Sequence, residues 1–375
     1  MSSPLPSRGP LVSNVPIIVR PNRRFVTTSV SPLDVVRVHP LCAETPVAAL
    51  QCATTPAESV YIRSNFETPD AHDAWTVHVT GVVQRPISLT LADIAGLPQR
   101  SVHVTMECAG NWRLGMDPVP EGEPWRYGAV STTTWSGVSL SGLLELAGVP
   151  PDAREVVAVG ADAGPRSDAA GIVRFERSLP IDVAMHPDTL IATHMDGARL
   201  TPDHGAPLRV IVPGWYGMAS VKWLAGLEVR TEPFTGYFQR QRYVYHTGAG
   251  TIPVTRALVK SMIVSPLPGA NCPTDADIRG WAWSGHGAIT QVDVAVNDAW
   301  HRAALGVPAS PYAWTPFSLR TQLPSGDVML RSRATDASGA VQPDVIEWNS
   351  LGYGNNAVRA IPVRVVGASL PAADA

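Results

Sequence analysis

Four cysteines in 375 residues (Cys42, Cys52, Cys108 and Cys272) form no C-x-x-C and no close even spacing, which excludes a disulfide scaffold and a cysteine-built zinc site. No stretch approaches the ~20 consecutive apolar residues that a membrane helix needs. The N-terminus lacks the apolar segment of a secretion signal. Asn22-Arg23-Arg24-Phe25 faintly resembles a twin-arginine export signal, but the polar Ser29-Val30-Ser31-Pro32-Leu33-Asp34 follows it. A cytoplasmic protein is expected, or a periplasmic one if an export signal has been lost or removed. An excess of either charge is also missing: 29 Lys and Arg stand against 32 Asp and Glu, for a net charge of −3. With no basic run either, nucleic acid and anionic membranes are disfavoured as partners. Proline (35) and glycine (31) are plentiful, which implies many turns and short strands and excludes an all-helical bundle.

The length exceeds what one hydrophobic core usually organises, so two domains are expected. Residues 1–44 carry no sustained period and read as an arm, draped over a domain or partly disordered. Trp75 to Val83 alternates with period two, and Glu155 to Gly160 and Leu208 to Pro213 are short apolar runs, all read as strands. Ser141 ahead of Leu143, Leu144, Leu146 and Ala147, closed by Gly148 and Pro150, reads as a short capped helix. Residues 45–253 are therefore expected to be mixed α+β. Beyond Pro253 the pattern becomes strand, turn, strand: Asp277 to Trp283, Ile289 to Asn297, and Asp327 to Thr335 with the turn Asp336-Ala337-Ser338-Gly339. Residues 254–366 are expected to form an antiparallel β-sandwich of immunoglobulin-like class, with a tail at 367–375.

Val102, Val104, Met106 and Cys108 share one face of a strand, so by periodicity alone Cys108 is a small buried hydrophobe. The permissive turn Ala109-Gly110-Asn111 and the cation Arg113 give it a second reading. A thiol exposed at a strand's end near positive charge suits metal ligation or nucleophilic attack. Further along, His204, Arg209 and Lys222 supply an imidazole, a guanidinium and an ammonium within a short span, suited to an anionic ligand, although each taken singly reads as an ordinary surface group. Gly214 and Gly217 would let backbone amides approach a ligand closely.

The stretch Thr105-Met106-Glu107-Cys108-Ala109-Gly110-Asn111-Trp112-Arg113 resembles the cysteine-ligand motif of the sulfite oxidase family. Three further segments follow in that family's order: Gly128-Ala129-Val130-Ser131-Thr132 with Trp135, Pro202-Asp203-His204-Gly205-Ala206-Pro207-Leu208-Arg209, and Val212-Pro213-Gly214-Trp215-Tyr216-Gly217 running to Val221-Lys222-Trp223-Leu224. Gly280-Trp281-Ala282-Trp283-Ser284-Gly285 and Trp348-Asn349 resemble its dimerisation domain, and the likeness spans roughly residues 58 to 365. The resemblance implies a mixed α/β molybdopterin-binding domain of sulfite oxidase type followed by the sandwich. It implies molybdenum bound by Cys108 and a pyranopterin dithiolene, and a pterin held by Asp162, His204, Arg209, Ser220 and Lys222. Arg63, Arg113, Trp125 and Phe175 fall at catalytic positions. A homodimer is expected, with a small oxyanion as substrate. No haem is expected in this chain, so electrons would pass to a separate acceptor such as a c-type cytochrome.

Three departures from the family pattern bear on the reaction. Arg63-Ser64-Asn65 replaces Arg-Asn-His. Phe175 stands where sulfite oxidases place a tyrosine, and a gapless count back from Trp125 puts Glu121 where they have a lysine. A sulfoxide or other oxyanion reductase with the same cofactor is therefore a rival to sulfite oxidation. A metal-free structural dimer and a cysteine-nucleophile hydrolase are two further rivals, the last needing a histidine base beside Cys108.

Overall fold

The computed structural model describes residues 32–366 except residue 73; most of the N-terminal arm and the whole tail lie outside the described residues. The chain is mostly β, and the longest helix among the described residues, Leu140–Ala147, has eight residues. That helix starts one residue before Ser141. Its N-cap is Ser139, whose hydroxyl pairs with that of Ser141 at 2.7 Å, and Gly148 ends it at φ 75°. The sequence misplaced the cap because two serines flank the start; the glycine stop, which needs a left-handed backbone, was unambiguous. Residues Asp34–Arg37 and Cys42–Glu44, read from the sequence as arm, form an antiparallel hairpin that continues onto Ile62–Arg63. Strands this short carry too few residues for a period to register.

Two five-stranded sheets follow. In one, Gln99–Glu107 pairs along its whole length with Val130–Ser139, which is flanked by Leu190–Met195; Arg209–Ile211 pairs onto the last. In the other, the order is Ile87–Thr90, Thr76–Gly81, Leu224–Arg230, Glu155–Pro165 and Ile172–Pro180, with Thr76–Gly81 and Leu224–Arg230 parallel. Val77, Val79, Val156 and Leu227 from this second sheet meet Leu143 and Leu144 of the helix in one apolar cluster. Val104, Met106 and Cys108 pack instead with Trp125 and Ile211. Alternation along Gln99–Glu107 thus carries Cys108 inward.

After residue 253 two further sheets appear, one of four strands with Lys260–Ser265 at its edge and one of five strands built around Gly326–Asp336. Ile278 from the first and Val292, Val294, Leu330 and Val363 from the second share a buried cluster. Pairing is antiparallel except that Asn271–Cys272 runs parallel to Ala360–Val365. At the predicted turn, Asp336 accepts hydrogen bonds from the backbone of Ser338 and Ala340, as short polar turn residues do.

Candidate active site

The site begins where Gln99–Glu107 runs out. Glu107, 2% exposed, is gripped from both sides: Lys260 donates to it at 2.7 Å, the Trp283 indole at 2.9 Å and Asn111 at 2.9 Å. Lys260 and Trp283 belong to the strands after residue 253, so a buried ion pair ties those strands to the position just before Cys108. The Cys108 amide donates to Ala129 at 2.8 Å, and Asn111 returns a turn hydrogen bond to Cys108 at 2.9 Å. Gly110 is required here: a Cβ would lie 2.5 Å from an Arg113 guanidinium nitrogen, so only glycine lets Arg113 fold back over the turn.

Cys108 is buried at 7% exposure rather than exposed as the sequence suggested. Burial pushes its thiol pKa up, while Arg63, the Gly110 amide and Arg113 pull it down. The sequence identified the cations but missed the desolvation, because the residues that cover the thiol come from other parts of the chain.

Cys108 lines two adjoining cavities. The inner one is also lined by Asp162, Phe175, His204, Arg209, Ser220 and Lys222. Arg113, Trp125 and Glu121 line an outer cavity. Arg63, Asn65, Cys108 and Tyr243 line both. Every residue singled out as catalytic or cofactor-binding thus lies in one of these two spaces.

The inner cavity is built to receive an anion. Arg209 donates to the carbonyls of His204 (3.0 Å) and Ser220 (3.1 Å) and lies 4.7 Å from the Trp135 ring. Lys222 donates to Ser64 and to the Asp203 carbonyl, each at 2.8 Å, and sits 4.0 Å from the Trp223 ring. Neither cation is in an ion pair among the described residues. Burial pushes Arg209 down to about 10, and burial together with Arg209 lowers Lys222, with Asp162 pulling the other way. Asp162 is itself raised by burial against the pull of Lys222. Burial holds His204 neutral, lowering it to about 3; its ring nitrogens are engaged by Thr201 (2.8 Å) and the Val60 carbonyl (3.1 Å). A histidine so occupied is no base for Cys108, which removes the support for the hydrolase reading. The Ser220 hydroxyl accepts from the Val212 amide at 3.1 Å. Gly217 lines the cavity, but its missing Cβ makes room for the Tyr61 hydroxyl, and Gly214 faces Gly285 instead.

A molybdopterin fits these residues. Asp162 Oδ1 and Arg209 Nε are buried without a hydrogen-bond partner, and such atoms are costly unless a ligand meets them. Among the described residues no group of three or more His, Cys, Asp or Glu could hold an ion. A metal at Cys108 must therefore take other ligands from a cofactor, as a dithiolene provides.

In the outer cavity Arg113 donates to the carbonyls of Glu123 (2.7 Å) and Leu351 (3.0 Å) and rests 5.6 Å from the Tyr353 ring. Arg63 donates to the Ser64 carbonyl and, at 2.8 Å, to Asn65. Neither arginine has a carboxylate partner among the described residues, whereas Arg37 pairs with Glu123 at 2.5 Å, and Arg166 and Arg242 pair with Asp168 at 3.0 and 3.4 Å. Trp125, fully buried, lines this cavity. Arg177 does not replace the hydroxyl missing at Phe175: it donates to the carbonyls of Phe238 and Val254 (3.0 Å for the latter) and lies 5.9 Å from the Tyr243 ring. Sequence reasoning missed Arg37, Arg166, Arg242, Tyr243 and Tyr353. The polar run Gln239-Arg240-Gln241-Arg242-Tyr243 was the one local signal for two of them.

Residues 65–238 match the family model of the oxidoreductase molybdopterin binding domain, and residues 252–365 that of the Mo-co oxidoreductase dimerisation domain. Sulfite oxidase of Gallus gallus is 33% identical over 84% of this chain and 74% of its own length. Mitochondrial sulfite oxidase of Mus musculus is 34% identical over 88% of this chain. This chain spans 65% of the mouse protein, less than two thirds. The crystal structure of the sulfane dehydrogenase SoxCD from Paracoccus pantotrophus superposes with a TM-score of 0.75 at 28% identity, covering 91% of this chain and 87% of that one.

Proposed function

This chain belongs to the sulfite oxidase family of molybdopterin-binding oxidoreductases, and from that premise we propose that it oxidises sulfite to sulfate. One water oxygen is added and two electrons and two protons are released. The observation that carries the reading is the position of Cys108, buried between a cavity lined by Arg209 and Lys222 and one lined by Arg113, with Arg63 lining both and none of the four in an ion pair among the described residues. When bound, the cofactor supplies the two-electron redox centre at which the oxygen atom is transferred. Cys108 would supply a thiolate to the metal, and Arg209 and Lys222 would hold the cofactor's anionic end, with Asp162 and Ser220 meeting its polar atoms and His204, its ring nitrogens already engaged, holding Arg209 in place through its carbonyl. Arg63 and Arg113 draw the oxyanion in and offset its charge, fixed in place by the carbonyls and the Asn65 amide that hold them. Trp125 and Phe175 wall the site with apolar surface that excludes water and strengthens those interactions.

The electrons leave to a separate acceptor, for which a c-type cytochrome is suited. We read residues 45–253 as a mixed α/β cofactor domain and 254–366 as an immunoglobulin-like sandwich that joins two copies into a homodimer. The two-sheet cluster behind Val294 and the match to a dimerisation domain support this.

Phe175, which brings no hydroxyl to the inner cavity, and Glu121 in the outer one favour a second reading, another sulfur oxyanion or a sulfane compound on the same cofactor. Molybdenum quantification on protein from a cofactor-competent host, coupled to sulfite-dependent reduction of the metal, tests both. Stoichiometric molybdenum reduced by sulfite supports the first reading. Stoichiometric molybdenum untouched by sulfite leaves the second, and protein that takes up no molybdenum defeats both.

A further inference from the structure

The turn that carries Cys108 is held from behind by the part of the chain after residue 253. Successive side chains of a strand point to opposite faces, so Glu107 turns away from the cavity that Met106 and Cys108 line and meets Lys260 and the Trp283 indole. The grip continues past the thiol. The Gly354 amide donates to the Ala109 carbonyl at 2.7 Å, the Asn355 side chain to the Trp112 carbonyl at 2.9 Å, and Arg113 to the Leu351 carbonyl at 3.0 Å. Residues 352–356 are buried yet belong to no helix or strand, and buried backbone outside regular structure must find partners elsewhere; part of it finds them in this turn. The segment is itself fixed, since Asn356 donates to the carbonyl of Val259, the neighbour of Lys260, at 2.9 Å, and Asn349 exchanges two hydrogen bonds with the Tyr353 backbone at 2.8 and 2.9 Å. Trp112 is left-handed at φ 64°, a conformation costly for a bulky residue and kept only where the surroundings enforce it.

On the reading that Cys108 carries the metal, we infer that Lys260 is a positioning residue for that thiolate, acting through Glu107 and backed by Trp283 and residues 351–355. The strands after residue 253 thereby set the geometry of a metal ligand that belongs to the strands before it. Loss of Lys260 leaves Glu107 as a buried carboxylate without its countercharge, a costly state that is relieved by moving the carboxylate toward other polar groups. Because Cys108 is the next residue, its peptide moves with Glu107. Arg63 and Arg113 are held by other bonds, so the grip on an oxyanion does not depend on Lys260.

The test follows alkylation of each cysteine by iodoacetamide in the cofactor-free full chain, read by mass spectrometry, beside the paramagnetic resonance of the half-reduced metal and sulfite turnover in the loaded protein. In Lys260→Met the Cys108 rate is expected to rise about tenfold as the turn opens more often, the loss of one hydrogen bond to a charged group. Cys272, buried among the same strands as Lys260, should keep its native rate. After loading, the resonance should shift and kcat for sulfite should fall about tenfold through misplacement of the ligand, with KM unchanged. Glu107→Gln/Lys260→Met removes both charges and keeps an acceptor for Trp283, so Cys108 alkylation should return to within about threefold of native. A native Cys108 rate or a native resonance in Lys260→Met overturns the inference. So does a Cys272 rate that rises in step, which marks general loosening, or a double variant no better than the single one, which shows that Lys260 does not act through Glu107. Should Lys260→Met fail to fold, Trp283→Phe removes one donor to Glu107 and keeps an aromatic ring; a Cys108 rate raised about fivefold supports the inference and a native rate overturns it. Bound molybdenum that sulfite leaves untouched defeats the proposed function alone, and Lys260 is still judged by alkylation and by the resonance after dithionite reduction.

Discussion

The inner and outer cavities share Cys108 but are built in different ways. The inner one draws Arg209, Ser220 and Lys222 from one stretch of fourteen residues, 209–222, with His204 just ahead of it. Its cations are held by backbone carbonyls and aromatic faces. The outer one gathers Arg37, Arg113, Glu121, Arg166, Arg242 and Tyr353 from widely separated segments, and three of its arginines are already matched by carboxylates. A continuous segment with unmatched cations suits a resident cofactor of fixed shape. Separated segments with partly matched charge suit a substrate that must enter and leave.

The largest expected effect strikes the residue both cavities share. Cys108→Ser should lower turnover by at least about a thousandfold, since an alcohol is a poor replacement for a thiolate on this metal, while the thermal midpoint moves little because the two side chains are nearly isosteric. Substantial activity in the serine variant would break the ligand assignment. Next, Arg209→Met or Lys222→Met should cut molybdenum occupancy after dialysis by about tenfold or more, one or more charge-assisted hydrogen bonds being lost. Turnover per bound molybdenum should hold. If turnover per metal falls and occupancy does not, the division of labour between the cavities is wrong.

How much of this was legible in the sequence follows the same contrast. Cys108 and the 202–223 segment were readable because their spacing is local: a strand end, a tight turn and closely spaced cations are set by neighbours in the chain. The glycine stop at Gly148 was readable for the same reason, whereas the Ser139 cap was displaced by one serine competing with another. Tyr243 and Tyr353 were not readable, since their meeting depends on how segments 110 residues apart pack. The clamp on Glu107 by Lys260 and Trp283 was invisible for that reason too. The burial that raises the Cys108 thiol is a property of the assembled site, whereas the nearby cations could be read from the chain.

Acid should distinguish the cavities in the cofactor-free protein. His204, lowered to about 3 by burial, stays neutral in the fold but takes a proton in the unfolded chain below its ordinary value of 6.5. At this residue the unfolded state therefore binds more protons between these values, so its contribution to stability falls as pH drops from about 6.5 toward 3, opposite in sign to that of Asp162, which burial raises. His204→Gln should flatten that slope in denaturant titrations at stepped pH, whereas no histidine lines the outer cavity to add to it. An unchanged slope in the variant would show that His204 is not the group responsible. Smaller still, Arg113→Met should raise the KM for sulfite by about tenfold, a lost contact to a charged oxyanion, and leave molybdenum occupancy untouched.

The smallest effect belongs to Glu121, which lines the outer cavity beside Glu123 but, unlike it, is in no ion pair among the described residues. A free carboxylate here repels an incoming dianion, so its reversal should act on approach rather than on chemistry. Glu121→Lys is expected to raise kcat/KM for sulfite by a few-fold at low ionic strength through KM, with kcat unchanged. Because salt screens charges more than about 10 Å apart at 0.1 M, the gain should shrink as salt is added if it is long-range steering. A gain that persists in high salt would mean that the new lysine touches the substrate directly, and the outer cavity would then hold a third oxyanion contact rather than an electrostatic funnel. No gain at any salt concentration would mean that Glu121 does not face the path of entry, and the charge reversal at this position would lose its bearing on substrate choice.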